Sequence, residues 1–440
     1  MVATSAGLAL ATVSLTAAVQ IGEGLPGAGG WLAILVAGGV SLLAAWCFAE
    51  LVGLFPTAAG IKLFIEKAFG ERTALLFAGL YVVVSVLIVG GEAFVLGAVL
   101  HQLWPAVPSS LWAILFLSGM AGVNLRGVRL TGWVQDLLTW VMLAGLLGLG
   151  LWTLLRPGAP PPPLPFDLGG PGAFMQAIAL AVFLFLGFEW VVGLAEEVRD
   201  VRVLPRGMAW ALLLLTATYA LFHVALMTGV DRSVLAGSAT PHLLLGQAVL
   251  GRVGLIGVGS LSALASATSF NAGLLTASRF LYALGRDGAA PPVVARLHER
   301  WATPWVAILL LYALCAGMAI LLFWTGGLSV IIYLGAAVEC LIFCAMAAAL
   351  LRLRRTMATA VRPFRAPGGA LIPVAVIGIY GVLLLLLFLP QGGWEAQGRA
   401  LLLLAVLGLV VGGYTLVLPR LRAKWGRPAG RPRRRPPKVG

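Results

Sequence analysis

Charge is scarce in this sequence. Of its 440 residues only 10% are Asp, Glu, Lys or Arg, and the acidic ones number 16. A water-soluble domain needs about 25% charged residues to cover its surface, so water alone cannot solvate this chain. Cysteine is sparse too, and Cys47, Cys315, Cys340 and Cys344 all fall inside apolar runs. Cys340 and Cys344 share one helix face at i, i+4, but the expectation is buried free thiols rather than a metal site. The four histidines form no cluster, and no nucleotide-binding loop, HExxH or GxSxG motif is present. No polar stretch is long enough to fold as a soluble catalytic domain. A non-enzyme without cofactor or metal is expected.

Apolar sequence fills the space. Hydrophobic residues make up 60% of the chain and its mean hydropathy is +1.00. Twelve apolar segments can be read, at 4–22, 31–54, 75–103, 110–124, 132–155, 173–195, 207–229, 252–283, 304–324, 328–351, 370–390 and 399–418. Their lengths suit membrane spans of about 17–25 residues. They do not alternate as barrel strands would, and lipid demands that all backbone polar groups pair internally. The expected fold class is therefore an all-α polytopic membrane protein with 12 transmembrane helices.

The net charge of +14 is compatible with nucleic-acid binding until its distribution is considered. With the N-terminus in the cytoplasm, 26 of the 30 basic residues fall in cytoplasmic segments and 4 in outer loops. This is the positive-inside pattern. It predicts a multi-pass plasma-membrane protein with both termini inside and no nucleic-acid partner. Residues 419–440 are rich in Arg and Pro, which suits a tail resting on anionic membrane lipids. The membrane body is expected at 1–418.

Four stretches carry more specific information. They are FAELVGLFPTAAGIKLFIEKAFGE at 48–71, NLRGVRLTGWVQDLLTW at 124–140, FLFLGFEWVVGLAEEVRD at 183–200 and ASRFLYALGRDGAAPPVVARLHERWATP at 277–304. Within them, Phe48–Leu51, Asn124–Gly127, Phe185–Glu189, Glu197–Asp200 and Ser278–Gly288 match, in order, motifs of the amino acid–polyamine–organocation transporters. The chain resembles that superfamily from about residue 4 to 418. The resemblance implies a leucine-transporter-like fold, in which helices 1–5 and 6–10 are inverted repeats and two C-terminal helices are added. It also implies that helices 1 and 6 are broken at mid-membrane, where half-helix N–H groups and a positive dipole end meet a substrate carboxylate.

On that resemblance, helix 6 unwinds at Gly187, because glycine tolerates irregular backbone. Glu189 then lies just beyond the break, facing the bundle, and either holds the broken segment or carries a proton. Phe183 corresponds to the family's gating aromatic, with Phe185 and Leu186 beside it at the substrate. Helix 1 departs from the family, whose break carries Gly-x-Gly. Counting back from Phe48 places the expected break at Thr12–Thr16 (Thr-Val-Ser-Leu-Thr), without glycine. Hydroxyls there replace part of the lost backbone bonding, and Thr12, Ser14 and Leu15 are expected at the substrate. Residues at i, i+2 point apart on a helix, so hydroxyls 12, 14 and 16 cannot all face one pocket.

Intramembrane charges mark function by default. Glu92, in IVGGEAFVLG, is read as pocket-facing; it pairs with a substrate amine, binds a proton or bonds a neighbouring helix. Gly90 and Gly91 beside it allow close helix approach. Glu189 and Glu339 join Glu92 as candidate coupling carboxylates. His223 is expected to be a satisfied core histidine. Ser266, Ser269 and Asn271 are candidate cavity polars, and in sodium-coupled relatives of the fold hydroxyls of helix 8 hold the ion. The lysine that some proton-coupled members carry in helix 5 is Met142 here. The expected function is a secondary permease for an amino acid or related amine, coupled to H+ or Na+ or running as an exchanger. The alternatives are a non-transporting sensor with a transporter fold and a polytopic membrane enzyme.

Overall fold

The computed structural model describes residues 2–23, 25, 29–57, 60–127, 132–158, 168–198, 200–235, 237–389 and 395–425. Residues 426–440 of the basic tail, and Arg199 of the helix 6 motif, lie outside the described residues. In chain order the α-helices are α1 (Val2–Ala9), α2 (Thr12–Glu23), α3 (Gly29–Leu54), α4 (Gly60–Phe69), α5 (Glu71–Leu103), α6 (Ser109–Leu125), α7 (Gly132–Leu155), α8 (Pro171–Ala181), α9 (Val203–Gly229), α10 (Arg232–Leu235), α11 (Pro241–Arg286), α12 (Trp305–Thr325), α13 (Leu328–Thr356), α14 (Leu371–Leu387) and α15 (Glu395–Trp425). Among the described residues there is no strand, and nine helical stretches are long and apolar enough to cross a membrane. Three shorter apolar helices, Thr12–Gly22, Ser109–Leu125 and Leu371–Leu387, accompany them.

The chain is apolar on both its inside and its outside. Leu371 and Leu385 of α14, and Leu402 and Leu409 of α15, are each more than 60% exposed. Such a surface is tolerable where lipid is the solvent. The four cysteines are free thiols inside or partly inside the bundle.

Three expected helices are irregular. The segment read as one helix at 4–22 is α1 and α2, interrupted at Leu10–Ala11. This corrects the expected break, which falls just before Thr12 rather than within 12–16. The segment at 173–195 continues from α8 into a 3₁₀ turn (Val182–Phe185) and then a 3₁₀ helix (Phe188–Glu197), with the break at Leu186–Gly187. The segment at 252–283 is the inner part of α11, which begins earlier and bends at Gly251, where φ is 60°. Interrupted backbone survives at membrane depth only where other groups satisfy it, and that requirement positions the site.

One end of the bundle is held by ion pairs. Glu50 at the end of α3 is fully buried between Arg354 of α13 and Arg362. It accepts from Arg354 Nε at 2.9 Å and from the Ala366 amide at 2.8 Å. Lys62 of α4, also buried, reaches Glu66 at 2.8 Å and Asp287 beyond α11 at 3.6 Å. A cavity of about 340 Å³ lies between the end of α2 and the starts of α8, α13 and α15, lined by Gln20, Gln176, Ser329, Tyr333 and Gln397 among others.

Candidate functional site at the two helix breaks

The first break is an accounting problem in backbone hydrogen bonds. A helix start leaves its first N–H groups without acceptors, and a helix end leaves its last carbonyls without donors. At the start of α2, the Thr12 amide donates to Glu92 Oε1 at 2.9 Å and the Val13 amide donates to Glu92 Oε2 at 2.8 Å. The Ser14 amide donates to the Ala11 carbonyl at 3.1 Å. At the end of α1, the Ala9 carbonyl accepts from the Ala11 amide at 2.9 Å and from the Tyr219 hydroxyl of α9 at 3.1 Å. The Leu10 carbonyl accepts from the Ser269 hydroxyl at 3.5 Å. Neither Leu10 nor Ala11 takes a positive φ, so no glycine is required. This accounts for the missing Gly-x-Gly.

Glu92 reaches this break from the middle of α5. Gly90 lets α5 lie against α12, since a Cβ there would sit 3.2 Å from the Cys315 carbonyl and closer still to the Met318 side chain. At Gly91 an added Cβ would make only ordinary contacts. The Glu92 carboxylate is buried and accepts a third hydrogen bond, from the Ser266 hydroxyl of α11 at 2.6 Å. With its proton committed there, Ser266 accepts from Thr12 Oγ1 at 3.1 Å. A helix N-terminus attracts anions through its bare N–H groups and its dipole. The anion here is a side chain of the protein itself.

The hydroxyls of α2 divide as the helical spacing requires. Thr12 faces α11, Ser14 lies beside Tyr219 of α9, and Thr16 donates to the Ala239 carbonyl at 3.0 Å. Leu15 is buried and lines a cavity of about 20 Å³ with Leu10, Ala11, Thr12, Met142 and Ser262 among others. Met142 thus stands next to the break.

The second break is built differently. Gly187 has φ 106°, ψ −15°, a left-handed conformation that side-chain-bearing residues rarely adopt. Its amide donates to Glu189 Oε2 at 3.0 Å, so the carboxylate reaches back two residues to cap the segment that carries it. The other oxygen, Glu189 Oε1, and the neighbouring Trp190 Nε1 make no well-formed hydrogen bond among the described residues. Glu339 of α13 and Tyr81 of α5 lie within electrostatic reach of Glu189, and Glu339 Oε1 is also unsatisfied. Phe183 packs on Gly335 of α13, where an added Cβ would lie 2.8 Å from the ring. Phe185 meets Tyr219 edge-on at 6.1 Å, and Leu186 is buried beside them. The first interrupted helix touches the second break, because Ser5 of α1 donates to the Phe188 carbonyl at 3.0 Å.

The structure thus brings Thr12, Glu92 and Ser269 together around the first break, with Ser14 and Phe185 meeting at Tyr219. It places Glu189 and Glu339 in a separate acidic group. Asn271 bonds Asn124 of the second motif at 3.2 Å. His223 bonds the Ala18 carbonyl at 2.9 Å and packs on Gly30. Tyr219 was missed by sequence reasoning; a tyrosine in an apolar helix gives no sign that its hydroxyl will end another helix. No group of three or more metal-ligating side chains occurs among the described residues.

Residues 1–411 match the family model described as amino acid permease. The chain belongs to the amino acid permease family. Over 421 residues it is 26% identical to a branched-chain amino acid permease of Bacillus subtilis, covering 90% of this chain and 86% of that relative. It is 27% identical to the gamma-aminobutyric acid permease of Escherichia coli over 69% of this chain and 68% of the relative. An uncharacterized transporter of Mycobacterium tuberculosis is 29% identical over 67% of this chain, the match spanning 66% of that relative's length, just under two thirds. Membership places the protein in the amino acid–polyamine–organocation superfamily and makes it a multi-pass membrane protein.

Proposed function

We propose that the chain is a secondary transporter that moves an amino acid or related amine across the plasma membrane by alternating access. On this reading residues 1–418 form twelve spans, with helices 1–5 and 6–10 as inverted repeats and helices 11 and 12 accessory. Both termini are cytoplasmic. The expected tail begins later than residue 419, because 419–425 complete α15, with Arg422 held to Glu71 and to the Gly288 carbonyl at 2.7 Å; the remaining basic residues rest on the inner leaflet. The observation that carries the reading is the pair of interrupted helices, touching through Ser5 and Phe188, with Glu92 and Glu189 at the two restarts. Irregular backbone and buried carboxylates at that depth are costly in a helix bundle unless they serve a pathway.

The two ends of the bundle support alternating access. The Glu50–Arg354–Arg362 and Lys62–Asp287 ion pairs close the end that the positive-inside pattern assigns to the cytoplasm. The cavity at the opposite end is lined by neutral side chains, half of them polar. Ser266 and Ser269, the candidate sodium ligands, are engaged with Glu92 and the Leu10 carbonyl, which favours the proton as coupling ion. The printed names of the relatives, branched-chain amino acid permease and gamma-aminobutyric acid permease, agree with an amino acid substrate.

The test is flux. Purified protein in proteoliposomes is expected to exchange or accumulate at least one labelled amino acid. Specific binding without flux would favour the sensor reading instead.

A further inference from the structure

We propose that the cavity between α2, α8, α13 and α15 is an outer binding site, which takes a zwitterionic amino acid with a short aliphatic side chain through uncharged amides before it reaches the helix breaks. This deepens the proposed function and rests on the reading of the chain as an amino acid transporter.

At about 340 Å³ the cavity falls in the usual range of small-molecule pockets, roughly 300–1,000 Å³. The cavity beside the first break, at about 20 Å³, has room for little more than a water molecule. Three glutamines reach the larger one from three helices, Gln20 from α2, Gln176 from α8 and Gln397 from α15. Gln20 Nε2 donates to the Ser329 hydroxyl at 2.9 Å and Gln397 Nε2 to the Tyr333 hydroxyl at 3.4 Å, both on α13. Gln176 Nε2 donates to the Leu389 carbonyl at 3.4 Å. The side-chain oxygens of Gln20 and Gln397 are buried and accept no hydrogen bond among the described residues, and Gln397 as a whole is only 4% exposed. A buried polar atom without a partner is costly, and two of them on one cavity point to a ligand that supplies donors. Turning either amide end for end would leave its nitrogen unspent instead, and a zwitterion can meet either group.

The lining also sets the charge of the ligand. No charged side chain contributes to it. Glu395 and Arg399, which flank Gln397 in α15, are exposed and bonded to each other at 2.5 Å. A lone ammonium or a lone carboxylate would enter without a counter-charge, whereas a zwitterion brings its own. Its ammonium has donors for the two bare oxygens. Its carboxylate accepts the second N–H that each Nε2 retains. Ile21, Ala177 and Leu180 make the rest of the lining aliphatic, which suits a short apolar side chain. The walls place the site on the transport route, because on the proposed topology α2 and α8 are the outer halves of the two interrupted helices. A ligand held by Gln20 and Gln176 touches both.

The experiment uses the purified full-length protein in detergent with Ala396→Cys, which puts a thiol on the cavity lining. Its modification by a methanethiosulfonate reagent is timed alone and with L-alanine, L-valine or L-leucine. It is also timed with 3-methylbutylamine and 4-methylpentanoate, which are L-leucine without its carboxylate and without its ammonium. The wild type, whose cysteines are buried or half-buried, gives the background rate. At about ten times its dissociation constant, at least one of the three amino acids should slow the modification about tenfold. Neither analogue should. Adding Gln397→Leu should raise the protecting concentration about tenfold. Adding Gln397→Glu instead supplies a negative charge, and 3-methylbutylamine should then protect. Ala173→Cys, on the α8 part of the lining, repeats the measurement if Ala396→Cys fails to fold. Equal protection by either analogue without the Glu substitution, or protection unchanged by Gln397→Leu, would overturn the proposal. So would no protection by any of the three in protein that transports an amino acid in proteoliposomes. Absence of both protection and flux for every proteinogenic amino acid would overturn the transporter reading as well.

Discussion

The two helix breaks solve one problem in opposite ways. At Gly187 the chain supplies everything locally, a left-handed glycine to turn the backbone and a carboxylate two residues on to accept the bare amide. At Leu10–Ala11 it supplies neither. The turn uses ordinary backbone angles, and the acceptor arrives from Glu92, 80 positions away in sequence. A cap held by its own segment moves with that segment. A cap borrowed from another helix ties the break to that helix, a coupling between α2 and α5 that the second break lacks.

The largest expected effect comes from removing the borrowed cap. Glu92→Ala strips acceptors from two amides and a hydroxyl, at about 1–3 kcal/mol for each buried group left unpaired. An expected loss of roughly 3 kcal/mol, read as a lowered thermal midpoint in detergent, should exceed the effect of Glu189→Ala, which strips one amide. The reverse order would break the distinction between the two sites.

The backbone offers the next test. Gly187→Ala forces a side chain into a left-handed conformation at about 1–3 kcal/mol, while Ala11→Gly at the other break should change stability by less than ~1 kcal/mol. Thermal midpoints of the pair would show whether only the second break depends on glycine. The smallest effect is expected at Met142. Met142→Ala enlarges the small cavity beside Leu15 but removes no titratable group, so the pH dependence of transport should be unchanged. Loss of that dependence would assign coupling to α7.

These contrasts also explain what could be read from sequence. The second break was legible because its parts are contiguous: a glycine followed by a carboxylate in an apolar run. The first was misplaced by a few residues because nothing local marks it. Leu10 and Ala11 look like any helical pair, and the group that stabilises the break sits on α5. Glu92 itself stood out as a charge within a span, but its partners are backbone amides, which every residue carries. Glu50 shows the same limit. Its motif was recognisable, yet the guanidinium groups that bury it come from Arg354 and Arg362, some 300 positions on. Apolar run length marked the helical, membrane-spanning character of the chain, and motif order marked its family. Contacts between helices distant in the chain needed the fold.

The most direct test of the account is proton-driven accumulation. Proteoliposomes with an alkaline interior would be supplied with a labelled amino acid that the protein exchanges, at acid external pH, for the wild type and for Glu92→Gln. The account predicts uphill accumulation by the wild type, and in the variant exchange that continues without accumulation. Equal accumulation by both proteins would contradict it.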